Sequence, residues 1–250
     1  MIVIYTFDFK QHVPSQNREY IMLGVSIQSL LESDANVTIL LYTSDDELRR
    51  RIAKDFPMVQ MRNHNKAAYC ETKYFTCAGH ARIETIKDVL REFQDDVLYM
   101  DNDTVVYPNG VHNLKMKTHP MGYAEEPWNS IAIWFGDNKC YRQETARLYG
   151  KNMLDSSIIN NGVQYFPYSL LSLEIADDMA AFSIVMRDHQ LQDHVCFKDQ
   201  VSDTVWHTYM FKYKYLDNLE KIGVHVDKNG HIHGHHNIYT RLTNARNQGM

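Results

Sequence analysis

The stretch Val97-Leu98-Tyr99-Met100-Asp101-Asn102-Asp103-Thr104-Val105-Val106 decides how the chain is read. Four mostly apolar residues follow the acidic pair Asp95-Asp96, lead into two carboxylates, and are followed in turn by an apolar β-branched pair. A short apolar run bounded in this way reads as a buried strand. Asp101 and Asp103 then sit where the strand leaves the sheet, and in open α/β sheets ligands bind beyond the carboxyl ends of the strands. In extended chain, residues two positions apart, as these acids are, point to the same side. Two hard oxygen donors so placed suit Mg²⁺ or Mn²⁺ held against a phosphate. The plain alternative is a pair of solvated acids in a surface turn, so the rest of the chain has to supply context.

Upstream, Ile2 to Thr6 is an apolar, β-rich run that predicts a central strand, with a polar loop from Asp8 to Gln16 at its end. Arg18 to Leu31 reads as a helix with Ile21, Val25, Gln28 and Leu31 near one face and Met22 and Leu30 flanking it. Val37 to Tyr42 is a second buried strand, Ser44-Asp45-Asp46-Glu47 a capping box opening a helix through Lys54, and Met58 to Met61 a third strand. Strand and helix in alternation argue for a parallel sheet with helices packed on it. His64 to Thr76 reads as a loop over the sheet edge. From Cys77 or Ala78 to Phe93, the residues Ile83, Ile86, Leu90 and Phe93 recur on one helical face. Arg82 lies in the first turns of that helix, where a cation opposes the helix dipole. A ligand phosphate or base would account for it; a plain surface arginine is the alternative.

Downstream the pattern loosens. Met121 to Ala124 reads as a strand, and the aromatic run Trp128 to Phe135 either lines a pocket or packs. Ile158 to Phe166 reads as a strand interrupted by Asn160-Asn161-Gly162, and glycine inside a strand marks a bulge or the close approach of a ligand. Leu170 to His189 is a long helix, Asp199-Gln200 opens a shorter one, and Ile222 to Val226 is a strand before an Asn229-Gly230 turn. The tail carries His231, His233, His235 and His236. In extended chain the first three face one side, and neutral imidazole is a ligand for a metal such as Mn²⁺. A polar surface strand is the alternative; Ile232 and Gly234 interrupt the run, unlike a tag.

The totals bound the answer. With 250 residues, 44% hydrophobic and 23% charged, the chain fits one large globular α/β domain, or at most two. A net charge of -5 leaves no basic footprint for nucleic acid, so an anionic ligand needs local cations or a metal. Cys70, Cys77, Cys140 and Cys196 lack the Cys-x-x-Cys spacing of a zinc knuckle. They are too scattered for a disulfide scaffold, and reduced thiols in a cytosol-like compartment are expected. No apolar run is long enough for a membrane span, and Met1 to Tyr5 lacks the basic start of a signal peptide. The expectation is a soluble or cytoplasmic protein with no membrane span.

In this order and spacing the motifs resemble those of nucleotide-sugar glycosyltransferases of the GT-A fold, most closely the glycogenin-like and bacterial galactosyltransferase-like retaining group. Ile2 to Asp8 resembles the first strand that cradles the nucleotide. Gly24 to Leu31 followed by Val37 to Leu41 is similar to the first helix and second strand. Ala81-Arg82-Ile83 and Val97 to Asp103 are similar to the helix arginine and the Asp-x-Asp strand. Asn160-Asn161-Gly162-Val163 resembles an Asn-Ser-Gly-Val segment, with Asn161 in place of serine. Asp199-Gln200 matches an Asp-Gln pair. The implied fold is α/β, with a mixed, mostly parallel, Rossmann-like sheet flanked by helices in a single domain. Residues 1–106 would form a nucleotide-binding half and 107–250 an acceptor-binding half ending in a metal-ligand segment.

The resemblance also implies roles. Asp101 and Asp103 would bind Mn²⁺ or Mg²⁺ and the donor. A histidine of a C-terminal His-x-x-Gly would be the third ligand; His231 fits that spacing and His233 lies on the same face. Thr6, Asp8, Arg82, Asn102 and Asn161 would touch the nucleotide or its sugar. Asn160, Asp199 and Gln200 would surround the transferred sugar as the catalytic group. The family's Lys-Pro-Trp is replaced by His235-His236-Asn237, which leaves His236 as the candidate for the phosphate. The implied partners are a UDP-sugar and a carbohydrate or protein-linked glycan acceptor. Two other readings compete. Asp101-Asn102-Asp103-Thr104-Val105 also fits the Asp-x-Asp signature of haloacid-dehalogenase-like phosphatases, in which the first Asp is a nucleophile. There the motif lies on the first strand, and here three candidate strands precede it. The other is a nucleotide-sugar binding module without turnover.

Overall fold

Alternation along the first strand already divides the interior in two. In β1 (Ile2–Thr6) the side chains of Val3 and Tyr5 enter one core, and those of Ile2 and Ile4 enter the other. Successive strand residues face opposite sides, so a strand apolar at every position must lie between two layers. The computed structural model describes residues 1–7, 16–34, 36–63, 82–115, 121–134, 136, 138–192, 203–225 and 238–240. Among these, the first half runs β1, α1 (Gln16–Ser33), β2 (Thr38–Tyr42), α2 (Asp46–Asp55), β3 (Gln60–Arg62), α3 (Arg82–Phe93) and β4 (Val97–Met100). The second half runs β5 (Thr104–Val106), α4 (Gly110–Lys115), β6 (Met121–Ser130), α5 (Ile131–Trp134), α6 (Lys139–Tyr149), β7 (Ser157–Phe166), α7 (Leu170–Gln192), α8 (Asp203–Tyr209), β8 (Leu219–His225) and β9 (Ile238–Thr240).

The strands form one sheet in the order β3-β2-β1-β4-β7-β6-β8-β9-β5. The four strands β1 to β4 run parallel, as do β6, β8 and β9. β7 is antiparallel to both β4 and β6, and β5 is antiparallel to β9. This is the mixed, mostly parallel sheet that the resemblance implies. One layer packs Leu23, Ile27, Leu30, Leu48 and Ile52 of α1 and α2 against it. The other packs Ile83, Ile86 and Leu90 of α3 with Ile175 and Met179 of α7 and Trp206 of α8. β4 and β5 are joined by only three residues, yet four strands separate them in the order. The sheet therefore curls until β9 meets β5 beside the Asp101–Asp103 connection. No helix among the described residues is long and apolar enough to cross a membrane.

Several expectations are corrected. α1 buries Leu23, Ser26, Ile27 and Leu30, while Ile21 and Val25 are exposed. The sequence pattern chose the wrong face because Ser26 and Ser29 interrupt the buried stripe. Both are satisfied there: the Ser26 hydroxyl pairs with the Tyr5 hydroxyl at 2.9 Å, and Ser29 Oγ accepts the Val106 N–H at 3.0 Å. α2 is capped by Asp45, whose Oδ1 accepts the Leu48 N–H at 2.9 Å, one residue later than the capping box placed it. Asn160-Asn161-Gly162 does not interrupt β7, which is continuous and bulged. α4, α5 and α6 were not anticipated. Cys140 on α6 is disulfide-bonded, against the expectation of reduced thiols throughout; its partner lies outside the described residues. Widely spaced cysteines carry no local signal of such a pairing.

Candidate active site

Tyr99 and Asp101 are two residues apart at the end of β4, so their side chains leave the chain on the same side. The Tyr99 ring is fully buried, and its hydroxyl donates to Asp101 Oδ1 at 2.9 Å. Thr6 at the end of β1 lies across from it, its Oγ1 2.9 Å from the same phenol oxygen. Because the phenol hydrogen is committed to the carboxylate, the Thr6 hydroxyl is the donor of that pair. Burial pushes the Tyr99 phenol well above its ordinary range, with the Asp101 charge in the same direction and Arg82 opposing, so the group stays a donor.

Arg82 opens the described part of α3 and reaches back over the strand ends. Its guanidinium lies 4.9 Å from the Tyr99 ring centre and 3.6 Å from Asp101 Oδ1. A cation at a helix start does serve something other than the helix here, and that something is an acid. Asp101 is 34% exposed and Arg82 12%, so the pair is open on the carboxylate side.

The connection after Asp101 is a turn. The Thr104 N–H donates to the Asp101 carbonyl at 3.2 Å, and Asn102 and Asp103 form the bend, as Asn and Asp favour. The extended-chain geometry expected of the two acids is therefore corrected: a turn, not a strand, separates them.

β7 supplies the opposite wall. Its register against β6 passes from Tyr123↔Gln164 to Ala124↔Asn160, leaving 161–163 as a bulge. The Gly162 carbonyl accepts the Asp101 N–H at 2.7 Å, and the Gly162 N–H donates to Asn160 Oδ1 at 2.7 Å. A Cβ on Gly162 would fall 2.8 Å from Asp101 Oδ2 and 2.7 Å from Asn160 Oδ1. The glycine anticipated as a bulge or a close ligand approach is thus a bulge, closely approached by the chain's own carboxylate. Asn161 is buried, and neither of its amide atoms has a hydrogen-bond partner among the described residues. α8 docks behind this wall, where Thr208 Oγ1 accepts the Ile159 N–H at 3.1 Å.

The structure thus brings Thr6, Arg82, Asp101, Asn102, Asp103, Asn160 and Asn161 to one edge of the sheet. Asp8, Asp199, Gln200, His231, His233, His235 and His236 lie outside the described residues. Their neighbours are informative. α8 begins three residues after Gln200. His225 stands level with Thr240, and Thr240 with Thr104, so β8 ends at the level of the Asp101–Asp103 turn, with β9 between them. Sequence reading missed Tyr99 and the contact of Gly162 with Asp101; the period of two between Tyr99 and Asp101 was the available signal for the first.

These residues fit a divalent cation. Asp101 and Asp103 are hard carboxylate donors, Asp101 Oδ2 lies over a bare glycine Cα, and the buried, unpartnered Asn161 amide is a polar group lacking its complement. Among the described residues no group of three or more His, Cys, Asp or Glu is placed to hold a metal, so any third such ligand comes from outside them.

No protein-family model matches this sequence, and no curated protein matches it in sequence. Solved structures do match in fold. A galactosyltransferase, LgtC, in complex with donor and acceptor sugar analogues, superposes with a TM-score of 0.60 at 11% identity, covering 96% of this chain and 87% of that one. Mouse xyloside xylosyltransferase 1, without ligand, matches with a TM-score of 0.53 at 13% identity, covering 96% of each chain. With the sheet order and its curled edge already established, these likenesses identify the architecture: the chain has the GT-A fold of those glycosyltransferases.

Proposed function

We propose that this protein is a metal-dependent glycosyltransferase that moves a sugar from a nucleoside diphosphate sugar to a hydroxyl acceptor with retention. UDP is the proposed nucleotide and a carbohydrate or protein-linked glycan the proposed acceptor. The observation that carries the reading is the convergence of Arg82, Asp101 and the bulge at 161–163 at the curled edge of a GT-A sheet. Residues 1–106 would hold the nucleotide, and residues 107–250 would form the acceptor side and supply the last metal ligand.

Asp101 and Asp103, with His231 or His233, are the proposed holders of Mn²⁺ or Mg²⁺. Bound there, the ion would supply Lewis-acid stabilisation of the charge growing on the departing diphosphate. Arg82 brings a second positive charge to the same leaving group, and His236 is proposed to touch a phosphate. Thr6 and Asp8 are proposed to face the nucleoside, and Asn102 and Asn161 the donor. Asn160, Asp199 and Gln200 would surround the sugar, whose anomeric carbon gains cationic character; a carboxylate and two carboxamides stabilise such charge. Histidine ligands must be neutral, so metal affinity is expected to fall at acid pH.

The test is calorimetry of UDP with Mn²⁺ and with EDTA. Binding should depend strongly on the metal and vanish in Asp103→Ala with the melting temperature little changed. Equal affinity with and without metal would overturn the reading. A generic aryl phosphate assay addresses the phosphatase alternative, which would need robust turnover lost in Asp101→Asn.

A further inference from the structure

We infer that Tyr99 is a positioning residue for Asp101, backed by Thr6. Its hydroxyl fixes one end of the carboxylate so that the other end is presented to the cation. The inference rests on the proposed metal site and names a residue that neither the motif nor the fold comparison assigns.

The geometry is a chain of hydroxyls leading out of the core. Thr6 Oγ1 donates to Tyr99, and Tyr99 donates to Asp101 Oδ1, each at 2.9 Å. The ring itself cannot drift. It is fully buried in the α3/α7 core and carries the Arg82 guanidinium 4.9 Å from its centre. Asp101, by contrast, is 34% exposed and begins a turn, where an unsupported carboxylate hydrates and swings. Its Oδ1 is engaged by Tyr99 and faces Arg82 at 3.6 Å, whereas its Oδ2 lies against Gly162 with no hydrogen bond among the described residues. The packed core thus dictates which oxygen is offered and in what direction. Ligand carboxylates held by outer partners in this way lose about 10- to 100-fold in metal affinity when the partner is removed.

The experiment compares UDP affinity with Mn²⁺ and with EDTA in the full chain, and reads the ratio. Y99F keeps the ring and removes the hydroxyl. A role in packing alone would leave the ratio unchanged, since it would lower both affinities or the melting temperature. The positioning role lowers the ratio about 10-fold or more, with metal-free UDP binding intact. T6V should lower the ratio less, and T6V/Y99F no further than Y99F alone, because Thr6 acts through the phenol. The contact of Thr6 with the nucleoside proposed above lowers both affinities together and cancels in the ratio, which therefore reads the relay alone. A Y99F ratio equal to wild type, with D101N abolishing metal dependence, overturns the inference and leaves the proposed site standing. Metal dependence that survives D101N overturns the role of Asp101 as a ligand. Should Y99F fail to fold, T6V decides: an unchanged ratio in a folded T6V protein overturns the relay.

Discussion

Two clusters in this sheet are built from the same chemistry and end differently. At the β1–β4 edge a hydroxyl, a phenol, a carboxylate and a guanidinium line up as Thr6, Tyr99, Asp101 and Arg82. On β6 and β7, Ser157 donates to Glu125 Oε1 at 2.7 Å, and Lys212 donates to the same oxygen at 3.1 Å and to the Ser157 hydroxyl. In the second cluster the charges meet directly, and Glu125 and Lys212 are only 16% and 19% exposed. Lys212 is carried there by the π-helical turn Met210–Lys214 that follows α8. In the first cluster the nearest cation among the described residues stands off at 3.6 Å, and the carboxylate is twice as exposed. A carboxylate matched by lysine is a clamp between elements. One steadied by hydroxyls and a distant guanidinium keeps capacity for a further cation.

The sharpest way to break this contrast is to compare two glycines. In Gly162→Ala the new Cβ would press on Asp101 Oδ2 and Asn160 Oδ1, both ends of polar side chains that can swing away. Stability should fall by no more than about 1 kcal/mol, whereas a displaced carboxylate should cost ~100-fold or more in turnover. In Gly122→Ala the Cβ would fall 2.6 Å from Ile222 Cγ2 in the packed interior. That overpacking should cost about 1–3 kcal/mol, with turnover per folded molecule unchanged. Thermal melts and donor turnover on both proteins separate the cases. Full activity in Gly162→Ala would show that the Asp101 geometry is not what the site depends on.

The same contrast explains what the sequence made legible. β1, β2, β4 and α3 were readable because each is a local pattern: an apolar run between two layers, or Ile83, Ile86 and Leu90 on one face. The motif residues Thr6, Arg82 and Asp101 could be named because they sit at the ends of such elements. What escaped depends on partners distant in sequence. The buried face of α1 includes Ser26 because Tyr5, 21 residues earlier, satisfies it. The bulge at 161–163 follows from pairing with both β4 and β6, and the disulfide of Cys140 joins distant cysteines. The second cluster was invisible for the same reason: Glu125, Ser157 and Lys212 lie on three elements, and no short motif connects them.

That cluster supplies the next prediction. Lys212→Met leaves the Glu125 carboxylate mostly buried beside a hydroxyl and should destabilise by about 1–3 kcal/mol. Glu125→Gln combined with Lys212→Met should recover much of the loss, because no uncompensated charge remains. Chemical denaturation measures both. The metal dependence of UDP binding should be unaffected. A fall as large as that expected of Y99F would mean that the two clusters belong to one site, and the distinction between clamp and open site would have to be abandoned.

The smallest effect belongs to a third pair, in which the carboxylate is as covered as Glu125 but the lysine is more open to water. Lys115 on α4 donates to Asp34 Oδ2 at 2.7 Å, and the Asn36 N–H donates to Oδ1 at 2.8 Å. The lysine hydrogen bond first, and the backbone donor second, hold the Asp34 carboxyl below the usual carboxylate range against a small opposing effect of burial. A depressed folded-state pKa means that folding favours the ionised form. The stabilisation is therefore complete above the ordinary carboxylate pKa of about 4 and disappears as pH falls through the lower folded value. The lysine of this pair is a third exposed, and pairs open to water at one partner contribute about 1 kcal/mol or less. Asp34→Asn, which keeps an acceptor for Asn36, should melt slightly below wild type at pH 7 in low salt. The difference should shrink below about pH 4 and also at high ionic strength. A pH-independent gap would assign the effect to packing, and a gap as large as that of Lys212→Met would remove the distinction drawn between a wet pair and a buried clamp.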